Sequence, residues 1–136
     1  MVDTELYHKS CLSLWNRIRS EIGNELRGKV LVVGTEEFMF PALFVAEKIE
    51  KLGNNVRCHS TTRSPITVSR EADYPLHTRY ELKSMYDKNR VTYLYDVDCY
   101  DAVLILTDAH KGEEGKNTLV NALKTQNDKI FLVRWY

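Results

Sequence analysis

Lys29-Val30-Leu31-Val32-Val33-Gly34 is an apolar run without a polar break, closed by a glycine. A strand with one wet face alternates; an unbroken run marks a strand covered on both faces, as in parallel sheets flanked by helices. Asp101-Ala102-Val103-Leu104-Ile105-Leu106-Thr107 repeats the pattern, and Lys129-Ile130-Phe131-Leu132-Val133-Arg134 closes the chain in the same way. Between the first two runs, Phe38, Ala42, Val45, Ala46, Ile49 and Leu52 fall on one helical stripe. Pro41 stands near its first turn and Gly53 just after its end, where each suits a helix boundary.

Working outward, Cys11, Leu14, Trp15, Ile18 and Ile22 recur at helical spacing and predict an amphipathic helix over 4–23. Residues 55–60 read as a strand, and a glycine-bearing loop precedes a helix at about 115–126. Arg90-Val91-Thr92-Tyr93-Leu94-Tyr95-Asp96 alternates like a half-exposed strand. Residues 66–89 have no clean period and contain Pro75, so they read as a long loop or flexible hairpin. This order predicts an α/β fold: a mostly parallel sheet, helices on both faces, right-handed crossovers and a flexible central insert.

The chain has 136 residues, the length of about one domain, enough for a core without disulfides or metal. Nineteen basic and nineteen acidic residues cancel, leaving no global field for nucleic acid or an anionic membrane. Between Arg57 and Arg90, however, seven Lys/Arg face four acids, a local excess that suits a small anion better than a polymer. Cys11, Cys58 and Cys99 are odd in number and widely spaced, the pattern of reduced thiols in a cytoplasmic protein. No apolar signal core or membrane-length run is found, and His8, His59, His77 and His110 lack metal-ligand spacing.

Three strand ends carry the candidate chemistry, because open α/β sheets bind ligands outside the carboxyl ends of their strands. Ser60-Thr61-Thr62-Arg63-Ser64-Pro65 offers hydroxyls, a guanidinium and a rigid proline. The planar fork of Arg63 fits phosphate or carboxylate, and Thr61, Thr62 and Ser64 can add hydrogen bonds. No acid lies within five residues of Arg63 on either side. Gly34-Thr35-Glu36-Glu37 replaces the bare glycine turn of a phosphate site with two carboxylates. Sugar hydroxyls, an amine, or a divalent cation such as Mg2+ bridging to phosphate would suit Glu36 and Glu37. The plain alternative is a solvated helix start.

Asp108 ends the third site strand. Gly115-Lys116 superficially echoes a phosphate-binding loop, but His110 stands where the first glycine is needed and Asn117 replaces the metal-binding hydroxyl. What survives is a strand-end acid before a helix start, a place for ribose or phosphate contacts or an ordinary loop. Six tyrosines (74, 80, 86, 93, 95 and 100) crowd the middle of the chain as stacking surfaces or a covered sheet face. No nucleophile is placed beside a base, and His110 is an isolated acid–base candidate.

Gly34-Thr-Glu-Glu-Phe-Met39, Ser60-Thr-Thr-Arg-Ser-Pro-Ile66, Met85-Tyr-Asp87, Tyr93-Leu-Tyr-Asp96, Tyr100-Asp-Ala-Val103 and Thr107-Asp108 together resemble the TRSP domain, over roughly residues 28–136. That bacterial domain takes its name from the four residues that are here Thr62, Arg63, Ser64 and Pro65. The resemblance implies a place C-terminal to a phosphoribosyltransferase domain, in tellurium-resistance and stress-response operons thought to make a nucleoside-like metabolite.

The element order also resembles type I phosphoribosyltransferases, with 66–89 in the place of their flexible hood. The paired acids of that family stand here as Thr107-Asp108, and no Thr-Thr-Gly follows. These resemblances imply one TRSP-like, phosphoribosyltransferase-like (Rossmannoid) domain over 1–136, with an N-terminal helix within 1–27. Its expected ligand is small and phosphorylated or ribose-containing, held by Gly34, Thr35, Glu36, Glu37, Thr61, Thr62, Arg63, Ser64 and Asp108. The expected partner is a phosphoribosyltransferase domain or subunit. The competing expectation is a non-catalytic supporting or regulatory subunit with no ligand of its own.

Overall fold

The computed structural model describes residues 4–35, 38–61, 79–86, 91–95, 99–109 and 112–135. Helix α1 (Thr4–Ile22) buries Cys11, Leu14, Trp15 and Ile18, then tightens into a 3-10 turn at Gly23–Glu25. Strand β1 (Lys29–Thr35) leads into α2 (Phe40–Lys51) and returns as β2 (Asn55–Thr61). A two-stranded insert, β3 (Arg79–Lys83) and β4 (Val91–Tyr95), precedes β5 (Ala102–Thr107), α3 (Glu113–Lys124) and β6 (Ile130–Arg134).

Four strands form one parallel sheet in the order β2-β1-β5-β6, so the fold is α/β with helices on both faces. Period-2 alternation divides the strand side chains between two cores. Val30, Val32, Ala102, Leu104 and Leu106 face α1 and α2, meeting Leu14, Trp15, Ile18, Val45 and Ile49. Leu31, Val33, Val103 and Ile105 face the other way, onto Leu119, Ala122 and Leu123 of α3. At the amino edge, Asp101 pins β1 to β5: its Oδ2 accepts from Lys29 N at 2.8 Å, and its own N–H donates to Lys29 O at 2.7 Å.

Within the loop or flexible hairpin expected over 66–89, the described residues 79–86 include a hairpin strand. Residues 79–83 are a strand, antiparallel to β4 with Leu82 opposite Thr92. Leu82, Met85 and Leu94 are buried in the α3-side core, which explains why a short strand rich in charged residues is held there. The half-exposed strand expected at 90–96 is β4; it belongs to this separate sheet, with Thr92 and Leu94 buried and Val91 exposed. Residues 66–78 and 87–90 lie outside the described set. Among the described residues, no helix is long and apolar enough to cross a membrane.

Candidate functional site

The chain steps from β1 to β2 on one side and later crosses to β5 on the other. The carboxyl ends of β1 and β5 therefore flank the point where strand order reverses, the crevice such sheets use for ligands. Gly34 pairs with Leu106 and Thr35 with Thr61, so the strand-end threonines fall level with one another. Thr35, Thr61 and Thr107 are each at most 4 % exposed, whereas Asp108 is exposed. The site thus runs from buried hydroxyls outward to a carboxylate.

Gly34 lets this turn close. A Cβ there would lie 2.7 Å from both Met39 Sδ and Phe38 O, so α2 could not begin where it does above any larger residue. The turn is tied by Phe38 N–H donating to Thr35 O at 2.9 Å.

Four side chains form one network. Thr35 and Thr107 place their Oγ1 atoms 2.8 Å apart, and Thr35 Oγ1 lies 2.6 Å from the Tyr86 hydroxyl. Tyr86 donates to Asp108 Oδ1 at 2.5 Å, and Ala109 N–H donates to Thr107 Oγ1 at 3.1 Å. A carboxylate only accepts, and each hydroxyl carries one proton. Tyr86 is therefore the donor to Asp108, and Thr35 Oγ1 donates to Thr107 Oγ1, with the Tyr86 oxygen close beside it. Burial raises the Tyr86 pKa above its ordinary value, and the bond to Asp108 raises it further, so the phenol keeps its proton at neutral pH.

Tyr86 arrives from the insert. Ser84 and Met85 are buried against the first turn of α3, and Ser84 Oγ accepts from Tyr86 N–H at 3.0 Å. The cavity beneath, lined by Thr35, Thr61, Thr92, Leu82 and Met85, measures about 10 Å³. It has room for about one water, so a ligand must approach from the solvent side, where Asp108 is exposed. Arg134, opposite Thr107 in register, brings a guanidinium to the same edge. Its Nη2 lies 3.1 Å from Glu113 Oε1, and its buried Nε has no hydrogen-bond partner among the described residues. A larger cavity of about 240 Å³, lined by Arg19, Asn24, Arg27 and Asn54 among others, opens at the opposite, amino edge of the sheet.

Of the residues expected from sequence, Gly34, Thr35, Thr61 and Asp108 come together at this edge. Glu36, Glu37, Thr62, Arg63 and Ser64 lie outside the described residues, as does His110. Thr107 and Tyr86 were not among the expected ligand residues. Both stand inside segments that carried the family resemblance, Thr107-Asp108 and Met85-Tyr86-Asp87, which was the available signal. Among the described residues, no three His, Cys, Asp or Glu side chains gather as a metal site.

An open α/β sheet with a polar cluster at its reversal point defines the class, a Rossmann-like domain. The chain belongs to the TRSP domain family: the model of that family, described as the TRSP domain C-terminal to PRTase_2, matches residues 3–123. The match reaches back through α1, which the resemblance read from sequence left out. The family is thus a companion of a phosphoribosyltransferase domain. No curated protein matches the chain.

Proposed function

We propose that this chain is a phosphoribosyltransferase-like domain binding a small phosphorylated or ribose-containing ligand at the carboxyl edge of β1, β2 and β5. It would act with a phosphoribosyltransferase in making a nucleoside-like metabolite linked to tellurium resistance or stress response. The observation that carries the reading is the convergence of Thr35, Thr107 and Asp108 at the reversal point, level with Thr61, the residue that leads directly into Thr62-Arg63-Ser64. In this reading Arg63 grips the anion bidentately, Thr62 and Ser64 add hydroxyl contacts, and Asp108 accepts from a sugar hydroxyl. Glu36 and Glu37, next after Thr35, take further hydroxyls or a cation such as Mg2+. Family membership supports the link to phosphoribosyl chemistry.

The test is thermal denaturation with ribose 5-phosphate or inorganic phosphate. At a hundredfold excess over the dissociation constant, binding adds about 2.7 kcal/mol to stability. Arg63→Lys should keep the fold and lose most of that gain, because a point charge cannot reproduce the bidentate fork. No gain in the wild type would leave the supporting-subunit reading in front. One observation favours that second reading: Leu43 and Leu52, on α2 and at its end, are 54 % and 55 % exposed, apolar surface that a partner domain could cover.

A further inference from the structure

The Tyr86 hydroxyl is held as a ligand hydroxyl would be. One oxygen donates to Asp108 at 2.5 Å and lies 2.6 Å from Thr35 Oγ1, with Thr107 Oγ1 and Thr35 O each 3.4 Å away. Both of its close partners belong to the carboxyl ends of β1 and β5, the edge at which this fold binds ligands. Tyr86 itself belongs to neither strand and reaches over from the insert.

Its backbone and side chain are held very differently. Ser84 and Met85 are 2 % and 7 % exposed and pressed against α3, while Tyr86 is 42 % exposed. The side chain can therefore turn outward about χ1 with the insert backbone left in place. What it gives up is a set of hydrogen bonds that any aliphatic hydroxyl can replace one for one, since a sugar hydroxyl also has one proton and two lone pairs.

We propose that Tyr86 caps its own site, its phenol occupying the seat of a ligand hydroxyl, so that ligands enter by displacing it. This rests on the ligand-binding function proposed above and narrows it. The ligand carries a hydroxyl that donates to Asp108 and sits against the Thr35 hydroxyl. Ligands without such a hydroxyl leave Tyr86 in place. Selection for a sugar over a bare anion then comes from an internal competitor.

The experiment compares ribose 5-phosphate and inorganic phosphate binding to the wild type and to Tyr86→Phe by calorimetry. Removing the competing hydrogen bonds should tighten ribose 5-phosphate by roughly fivefold, the worth of about one net hydrogen bond, and leave phosphate unchanged. Equal or weaker ribose 5-phosphate binding by Tyr86→Phe overturns the cap. Absence of ribose 5-phosphate binding in both proteins overturns the proposed function, and the cap with it.

A second measurement uses the wild type alone, in case the variant does not fold. Nitration of Tyr86 by tetranitromethane, read by mass spectrometry, should rise when ribose 5-phosphate turns the ring outward. Protection of Tyr86 by the ligand would mean that the ring covers it, and the cap would be wrong.

Discussion

Gly115, in the first turn of α3, faces the Ser84 carbonyl so closely that a methyl group on it would lie 2.5 Å from that oxygen. The carbonyl carbon of Ser84 and the Met85 nitrogen would be 2.7 and 2.8 Å away, so the obstacle is backbone and cannot swing aside. The glycine that echoes a phosphate loop thus serves to seat the insert.

Gly115→Ala would gain about 1 kcal/mol of helix propensity. Overpacking against a backbone costs about 1–3 kcal/mol, and the second effect should win. We expect a net loss of stability in urea denaturation and a Tyr86 phenol that titrates nearer its ordinary value, as the insert lifts. A stabilised Gly115→Ala protein would show that the insert is not seated on α3.

Thr107 is fully buried and takes hydrogen bonds from the network and from Ala109 N–H. Thr107→Val keeps the shape but strips the acceptor from a buried amide, at a cost of about 1–3 kcal/mol. Thr107→Ser keeps the hydroxyl and loses one methyl group, about 0.8 kcal/mol. Denaturation midpoints should fall further for valine than for serine; the reverse order would make packing, not hydrogen bonding, the role of this residue.

The raised Tyr86 pKa sets a direction for alkaline stability. Between the ordinary tyrosine pKa near 10 and the higher folded value, the native state holds a proton that the unfolded state has released. Its contribution is therefore full below about pH 10 and lost as the pH rises through the folded value. Compared by urea unfolding across this range, wild type should lose stability more steeply than Tyr86→Phe. Parallel curves would remove Tyr86 as the cause.

Thiol reactivity should separate the three cysteines. Cys99 is exposed, Cys11 is buried, and burial pushes the half-buried Cys58 thiol up to about 11. Thiolate is the reactive form, so alkylation at neutral pH followed by peptide mapping should mark Cys99 first in the native protein. All three should react in urea. Early labelling of Cys58 would mean that β2 opens under native conditions.

The sheet and its helices were legible because burial on both faces leaves an unbroken apolar run and burial on one leaves a helical stripe. Boundaries shifted where tertiary contact overruled local signals. The helix expected from about 115 begins at Glu113, since Gly115 is an internal packing position. Strand β3 was legible only as a loop or flexible hairpin: three of its five residues are charged, and what buries Leu82 is α3-side packing that no local pattern encodes. In the candidate site, Thr35, Thr61 and Asp108 were legible as strand ends. Tyr86 was not, because its place depends on how an insert lies across two strands distant in sequence.

The two cores also differ in when their parts are made. The core beneath α1 and α2 draws most of its side chains from the first 49 residues and awaits only Ala102, Leu104 and Leu106 among its buried members. On the opposite face, Leu31 and Val33 meet only residues from Leu82 onward. A nascent chain that has finished β2 therefore carries a nearly complete face on one side of β1 and bare apolar side chains on the other. Contacts so distant in sequence form late and slowly. During synthesis this unprotected side of β1 is where a chaperone would bind and where two unfinished chains would first adhere.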